Sequence, residues 1–166
     1  MKKIVLAIQF LAITLIANAQ ITKVEIMATG LTCSMCSNAI NKQLKTMSEV
    51  EKVDIDLNKN LFVVTLKNDN KLTPKAFKDK VEKAGFFVGS MVLFMKLENV
   101  VVQDNKQYKD YVFIDSKEQT LNGLAKVQVL DKGFVTAKEY KKLAKVYVKY
   151  PTYNKENNNY FHLKLI

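Results

Sequence analysis

Cys33 and Cys36 are the two thiols of this 166-residue chain, and only Ser34 and Met35 separate them. A thiol binds a metal or attacks another sulfur only as the thiolate, so the pair can do soft-metal or redox chemistry where its surroundings favour negative charge. The loop it would close is too short to staple a fold, which disfavours a structural disulfide against a metal site or a redox pair. Two converging thiolates on a loop suit a soft ion of low coordination number, and Cu(I) fits that description best. Hg(II) shares the preference and is the main rival. Zn(II) remains possible but asks for four ligands, and the chain adds no cysteine and a single histidine, His162, far along the sequence. Met35 is placed to assist transiently through its thioether, although an ordinary loop residue is the simpler reading. Met91 and Met95 share one face of a strand and read as core packing before they read as ligands.

One histidine permits no Ser/His/Asp constellation, and no glycine loop is present to cradle a phosphate. Hydrolysis and nucleotide chemistry have no support, and the chain is read as a binding protein, not an enzyme. A thiol-disulfide oxidoreductase is an alternative use of the Cys-x-x-Cys pair. Against it, no aromatic precedes Cys33, no proline lies between the cysteines, and the strand and helix order is not that of a thioredoxin fold.

The elements that must position the pair follow from hydrophobic periodicity. Residues 22–28 alternate as a strand with Val24, Ile26 and Ala28 on one face, and Gly30-Leu31-Thr32 is a loop. From about residue 34 to 47, Cys36, Ala39, Ile40, Leu44 and Met47 recur at helical spacing. Cys33 thus falls at the boundary of loop and helix and Cys36 in the first turn, where unpaired N–H groups and the helix dipole favour a thiolate. Val53, Ile55 and Leu57, a turn at Asn58-Lys59-Asn60, and Phe62, Val64 and Leu66 make a hairpin. Thr73-Pro74 opens a second helix carrying Phe77, Val81 and Ala84, Gly85 closes it, and a fourth strand begins near Phe86. The order β-α-β-β-α-β is the ferredoxin-like plan. Beyond Gly89, residues 91–97, 108–114, 124–130, 143–150 and 160–166 read as strands, with a short helical candidate at 136–143 and a loop at Asn157-Asn158-Asn159. The expectation is an α+β chain: a ferredoxin-like domain over residues 20–90, then a small antiparallel β domain over 91–166, a barrel or an OB-like fold.

Gly30-Leu31-Thr32-Cys33-Ser34-Met35-Cys36 resembles the metal-binding loop of heavy-metal-associated domains, which occur in copper chaperones, metal-transporting P-type ATPases and an exported mercury-binding protein. The likeness covers about residues 22–89; Val50-Glu51-Lys52-Val53-Asp54-Ile55 resembles the family's second strand and Glu82-Lys83-Ala84-Gly85-Phe86 the close of its second helix. The resemblance implies that Cys33 and Cys36 are the ligands and that Phe86 is a non-ligand neighbour tuning access to the ion. Leu31 stands where the family usually has methionine, packing beneath the loop, a role leucine can fill. It further implies a metal-handling partner such as a metal transporter. The resemblance does not extend to the segment after residue 90, which is a second candidate for ligand or partner binding.

Lys2 and Lys3, an apolar run over residues 4–16 and the small-x-small site Ala17-Asn18-Ala19 read as a signal peptide over residues 1–19, cleaved after Ala19. The mature chain is then expected outside the cytoplasm, periplasmic or secreted, with no transmembrane segment. Net charge is +10, and +8 without Lys2 and Lys3, all of it from lysine because the chain has no arginine. Nucleic-acid recognition, which leans on the arginine fork, is excluded as a leading function. A basic surface is equally compatible with an acidic partner and with anionic lipid headgroups.

Overall fold

The computed structural model describes residues 19–32, 34–153 and 160–166. Residues 1–18 of the leader read at 1–19, Cys33 and the loop at Asn157–Asn159 lie outside the described residues. The elements in chain order are β1 (Ala19–Thr29), α1 (Ser34–Leu44), β2 (Val50–Asp56), β3 (Leu61–Leu66), α2 (Pro74–Lys83), β4 (Phe87–Val102), β5 (Lys106–Tyr108), β6 (Tyr111–Phe113), β7 (Gln119–Val129), α3 (Ala137–Val146) and β8 (Phe161–Leu165).

Among the described residues, all eight strands form one sheet in the order β2-β3-β1-β4-β7-β8-β6-β5. Its first four strands with α1 and α2 are the expected ferredoxin-like unit. Side chains directly opposite across antiparallel strands share a face, and here one row runs Val53, Val64, Val24, Leu93, Val127, Leu165 across six strands. Ile40 and Leu44 of α1 and Phe77 and Val81 of α2 bury against that face. β4 is long enough to belong to both halves of the sheet. It pairs with β1 from Phe87 to Leu97 and with β7 from Val92 to Val102.

The part beyond β4 departs from expectation in three respects. First, its strands extend the same sheet and do not form a separate barrel or OB-like fold; β6 and β8 run parallel, since each is fed from a distant part of the chain. Secondly, the strand expected at 143–150 is the last turn of the helix α3 over residues 143–146, followed by a turn at 147–149. Thr136 caps α3, its hydroxyl accepting the Glu139 N–H at 3.2 Å, and Tyr140, Leu143 and Tyr147 then fall on one helical stripe. Thirdly, the strand expected at 108–114 is broken by a turn at Lys109, whose φ is +53°, into β5 and β6.

Alternation along β8 explains where α3 sits. Leu163 joins the core under α1 and α2, so its neighbour His162 points to the other face of the sheet. On that face Val112, Ile114 and Leu130 pack with Tyr147, Tyr150 and Tyr153, flanked by Tyr140 and Leu143 of α3. The molecule is therefore layered, with α1 and α2 on one side of the sheet and α3 on the other.

Candidate metal site

The last residue pair of β1 and β4, Thr29 and Phe87, sets the site. Because these ends lie side by side, the loop leaving β1 and the chain entering β4 meet. Gly30 has φ of +87°, a left-handed conformation that glycine adopts without steric cost, and a methyl group built on it would sit 3.8 Å from Phe86 Cδ1. Phe86 is aimed there by the end of α2. Gly85, with φ of +89°, donates its N–H to Glu82 O at 2.9 Å, and Phe86 donates to Val81 O at 3.2 Å. That pair of bonds is a Schellman cap, which needs a left-handed residue at this position.

On the other side of the loop, α1 begins at Ser34, so Cys36 lies in its first turn, half-buried. Ser37, Ile40 and Leu44 bury beneath it and fix the helix to the core. The first turn carries no acidic side chain and the last carries Lys42, so no carboxylate within the first turn opposes the positive end of the helix dipole beside Cys36. Thr32 Oγ1 lies 4.0 Å from Cys36 Sγ. Leu31 and Phe86 are partly buried against the main core, while Met35 is 80% exposed.

The remaining residues singled out in the sequence lie elsewhere. Met91 and Met95 are fully buried in the core, which suits packing. His162 is 2% exposed and both ring nitrogens are engaged: Nδ1 is 2.6 Å from Asp131 Oδ1 and Nε2 is 2.9 Å from Thr152 Oγ1. It belongs to a buried polar chain on the α3 face. Asp131 and Thr152 have no sequence signal marking them as its partners. Among the described residues no group of three or more His, Cys, Asp or Glu side chains converges.

A ferredoxin-like sheet presenting a cysteine at a helix start, between a glycine-led loop and a capped helix end, defines a metal-loop module. Residues 25–87 match the heavy-metal-associated domain, and that segment of the chain is a heavy-metal-associated domain. It is 44% identical over 57 residues to the copper-transporting ATPase of Saccharomyces cerevisiae, a match covering 34% of this chain and 6% of the transporter. Among solved structures it is similar to the yeast copper transporter domain Ccc2a in its apo and Cu(I)-loaded states, with 37% identity, a TM-score of 0.36, and coverage of 40% of this chain and 90% of that domain. The Cu(I) complex of Ccc2a with Atx1 matches at 40% identity and a TM-score of 0.35, covering 39% of this chain and 88% of the matched chain. No helix among the described residues is long and apolar enough to cross a membrane.

Proposed function

We propose that this chain captures Cu(I) through the thiolates of Cys33 and Cys36, outside the cytoplasm, and buffers it or passes it to another metal-handling protein such as a transporter. The observation that carries the reading is the position of Cys36 in the first turn of α1, beside a loop whose flanks are Leu31 and Phe86. Unpaired N–H groups there favour the thiolate over the thiol. The likeness of residues 25–87 to domains that load Cu(I) supports the choice of metal.

Two-thiolate coordination leaves the ion open to a third ligand. An incoming thiolate from a partner adds before Cys33 or Cys36 leaves, so the ion is never released to water. His162, held by Asp131 and Thr152, takes no part. The pair must be reduced to work, and export therefore requires a reductant or prior metallation.

The test is an anaerobic titration of the reduced protein with Cu(I) against a competing chelator, beside Cys33→Ser and Cys36→Ser. One-to-one binding that either substitution weakens by orders of magnitude is expected. Binding indifferent to both would overturn the proposal, and tighter retention of Hg(II) than of Cu(I) in the same competition would reassign the metal.

A further inference from the structure

α3 carries four lysines, Lys138, Lys141, Lys142 and Lys145, at spacings of three and four residues, all exposed. They lie on the side of the helix opposite Tyr140 and Leu143, which pack into the tyrosine cluster. From first to last the stripe is about 10 Å long, close to the Debye length at ~0.1 M salt, so the four charges act together on anything that approaches. α2 shows the contrasting arrangement. Its exposed Lys75 and half-buried Lys78 pair with Asp79 and Glu82 four residues on, at 2.6 Å and 3.1 Å. Among the described residues no ion pair involves any of the four α3 lysines. At the end of the stripe two apolar side chains stand out into solvent, Val146 at 63% exposure and Val148 at 70%, followed by exposed Lys149.

We infer that this face of α3 docks the protein on an anionic lipid surface. The chemistry favours lipid over an acidic protein. Specific protein interfaces are centred on aromatic and arginine anchors with directional hydrogen bonds, and this face offers neither: it has lysine ammonium groups, which are compact and non-directional, edged by valines. Such a surface suits a plane of mobile phosphate headgroups with the valines reaching their boundary. Docking there also has a geometric consequence. A methyl group on Gly89 would lie 2.5 Å from Thr29 Cγ2 and 3.7 Å from Thr136 Cγ2, so the start of α3 adjoins the end of β1 that leads into the cysteine loop. A molecule lying on α3 keeps that loop beside the lipid surface.

The inference stands apart from the metal reading and is tested without metal. The full chain is sedimented with vesicles of phosphatidylcholine alone and of phosphatidylcholine mixed with phosphatidylglycerol, at about 0.1 M and about 0.5 M salt. Three proteins are compared: the native chain, the variant Lys138→Gln/Lys141→Gln/Lys142→Gln/Lys145→Gln, and a control with the same charge change, Lys45→Gln/Lys59→Gln/Lys106→Gln/Lys117→Gln, all at exposed positions. Any contribution of the apolar residues 4–16 is common to the three and appears on neutral vesicles too. With about fivefold in partition per lysine at the surface, the α3 variant should lose more than about tenfold in binding to anionic vesicles and the control much less. Native binding should weaken at the higher salt. Circular dichroism melts check that the α3 variant is folded; if it is not, Lys141→Gln/Lys145→Gln replaces it. Equal losses in variant and control, or no preference for anionic over neutral vesicles, would overturn the inference. Retention on immobilised polyglutamate without binding to anionic vesicles would also overturn it and assign the face to an acidic protein.

Discussion

Cys36 owes its surroundings to its position, since a half-buried thiol elsewhere on α1 would lie farther from the positive end of the helix dipole. The same reasoning separates His162 from metal chemistry. Asp131 accepts both the backbone N–H of His162, at 2.6 Å, and its ring Nδ1, while Thr152 closes the other side. His162→Leu strands a part-buried carboxylate oxygen and a part-buried hydroxyl, so it should cost about 1 to 3 kcal/mol of stability in urea titrations and leave Cu(I) affinity unchanged. A loss below about 1 kcal/mol would show that the polar chain does not hold the face together. Two tyrosines set a pH response. Burial, with Asp110 nearby, raises the hydroxyl pKa of Tyr111, and burial, with Asp131 next, raises that of Tyr153, both from an ordinary 10.0. A folded pKa raised above its unfolded value means stability that is fully present below pH 10 and lost as pH climbs beyond it. The loss approaches about 1.4 kcal/mol per pH unit for each group. Tyr153 donates to Leu130 O at 2.6 Å, so Tyr153→Phe should cost about 1 kcal/mol at neutral pH and flatten the alkaline fall. Urea midpoints of the two proteins between neutral and strongly alkaline pH would reveal it, and parallel curves would count against it.

At the scale of elements, the Schellman cap of α2 is what aims Phe86 at Gly30. Nothing lies within 4 Å of a methyl group built on Gly85, so Gly85→Ala meets no clash and its whole cost is the left-handed backbone, about 1 to 2 kcal/mol. Gly85→Asn should recover part of that, because asparagine tolerates the same region. Thermal melts that fail to separate the two variants would mean that the cap relaxes to another turn. The ferredoxin-like elements were legible because each carries its own periodicity: Val24, Ile26 and Ala28 at period two, Ile40 and Leu44 at helical spacing, Thr73-Pro74 and Gly85 at the ends of α2. The helix α3 was not fully legible. Val146, Tyr147, Val148 and Tyr150 carry strand-favouring side chains at its close, and the cap at Thr136 prevailed with the tyrosine packing. The parallel pairing of β6 with β8 left no trace in periodicity, since it joins segments some fifty residues apart. The site divides the same way: the cysteine spacing spoke for itself, Leu31 and Phe86 followed from the resemblance, and the contacts of His162 with Asp131 and Thr152 bridge distances no local pattern encodes.

The whole molecule turns on β4. Leu93 faces Val24 on one edge and Val127 on the other, and Met95 faces Ile21 and Ala125. A boundary between residues 90 and 91 falls inside this strand. A chain ending at Ser90 would keep the cysteine loop, α1 and α2 but lose Met91, Leu93, Met95 and Leu97, all fully buried, and strip β1 of its partner from Ile26 back to Ala19. Each large core side chain removed costs about 2 to 5 kcal/mol, against a total stability of about 5 to 15 kcal/mol for a domain. Residues 20–90 should therefore be unfolded by circular dichroism, a chain of 20–102 should recover partial structure because β1 regains its neighbour, and 20–166 should melt in one transition with equal calorimetric and van't Hoff enthalpies. The metal-loop module then depends on the strands beyond it for its fold, and a change such as Val127→Ala should lower the melting temperature of the whole chain, cysteine loop included. A cooperative melt from residues 20–90 alone would show that the first four strands stand without β4's second half and that the remaining strands are an appendage.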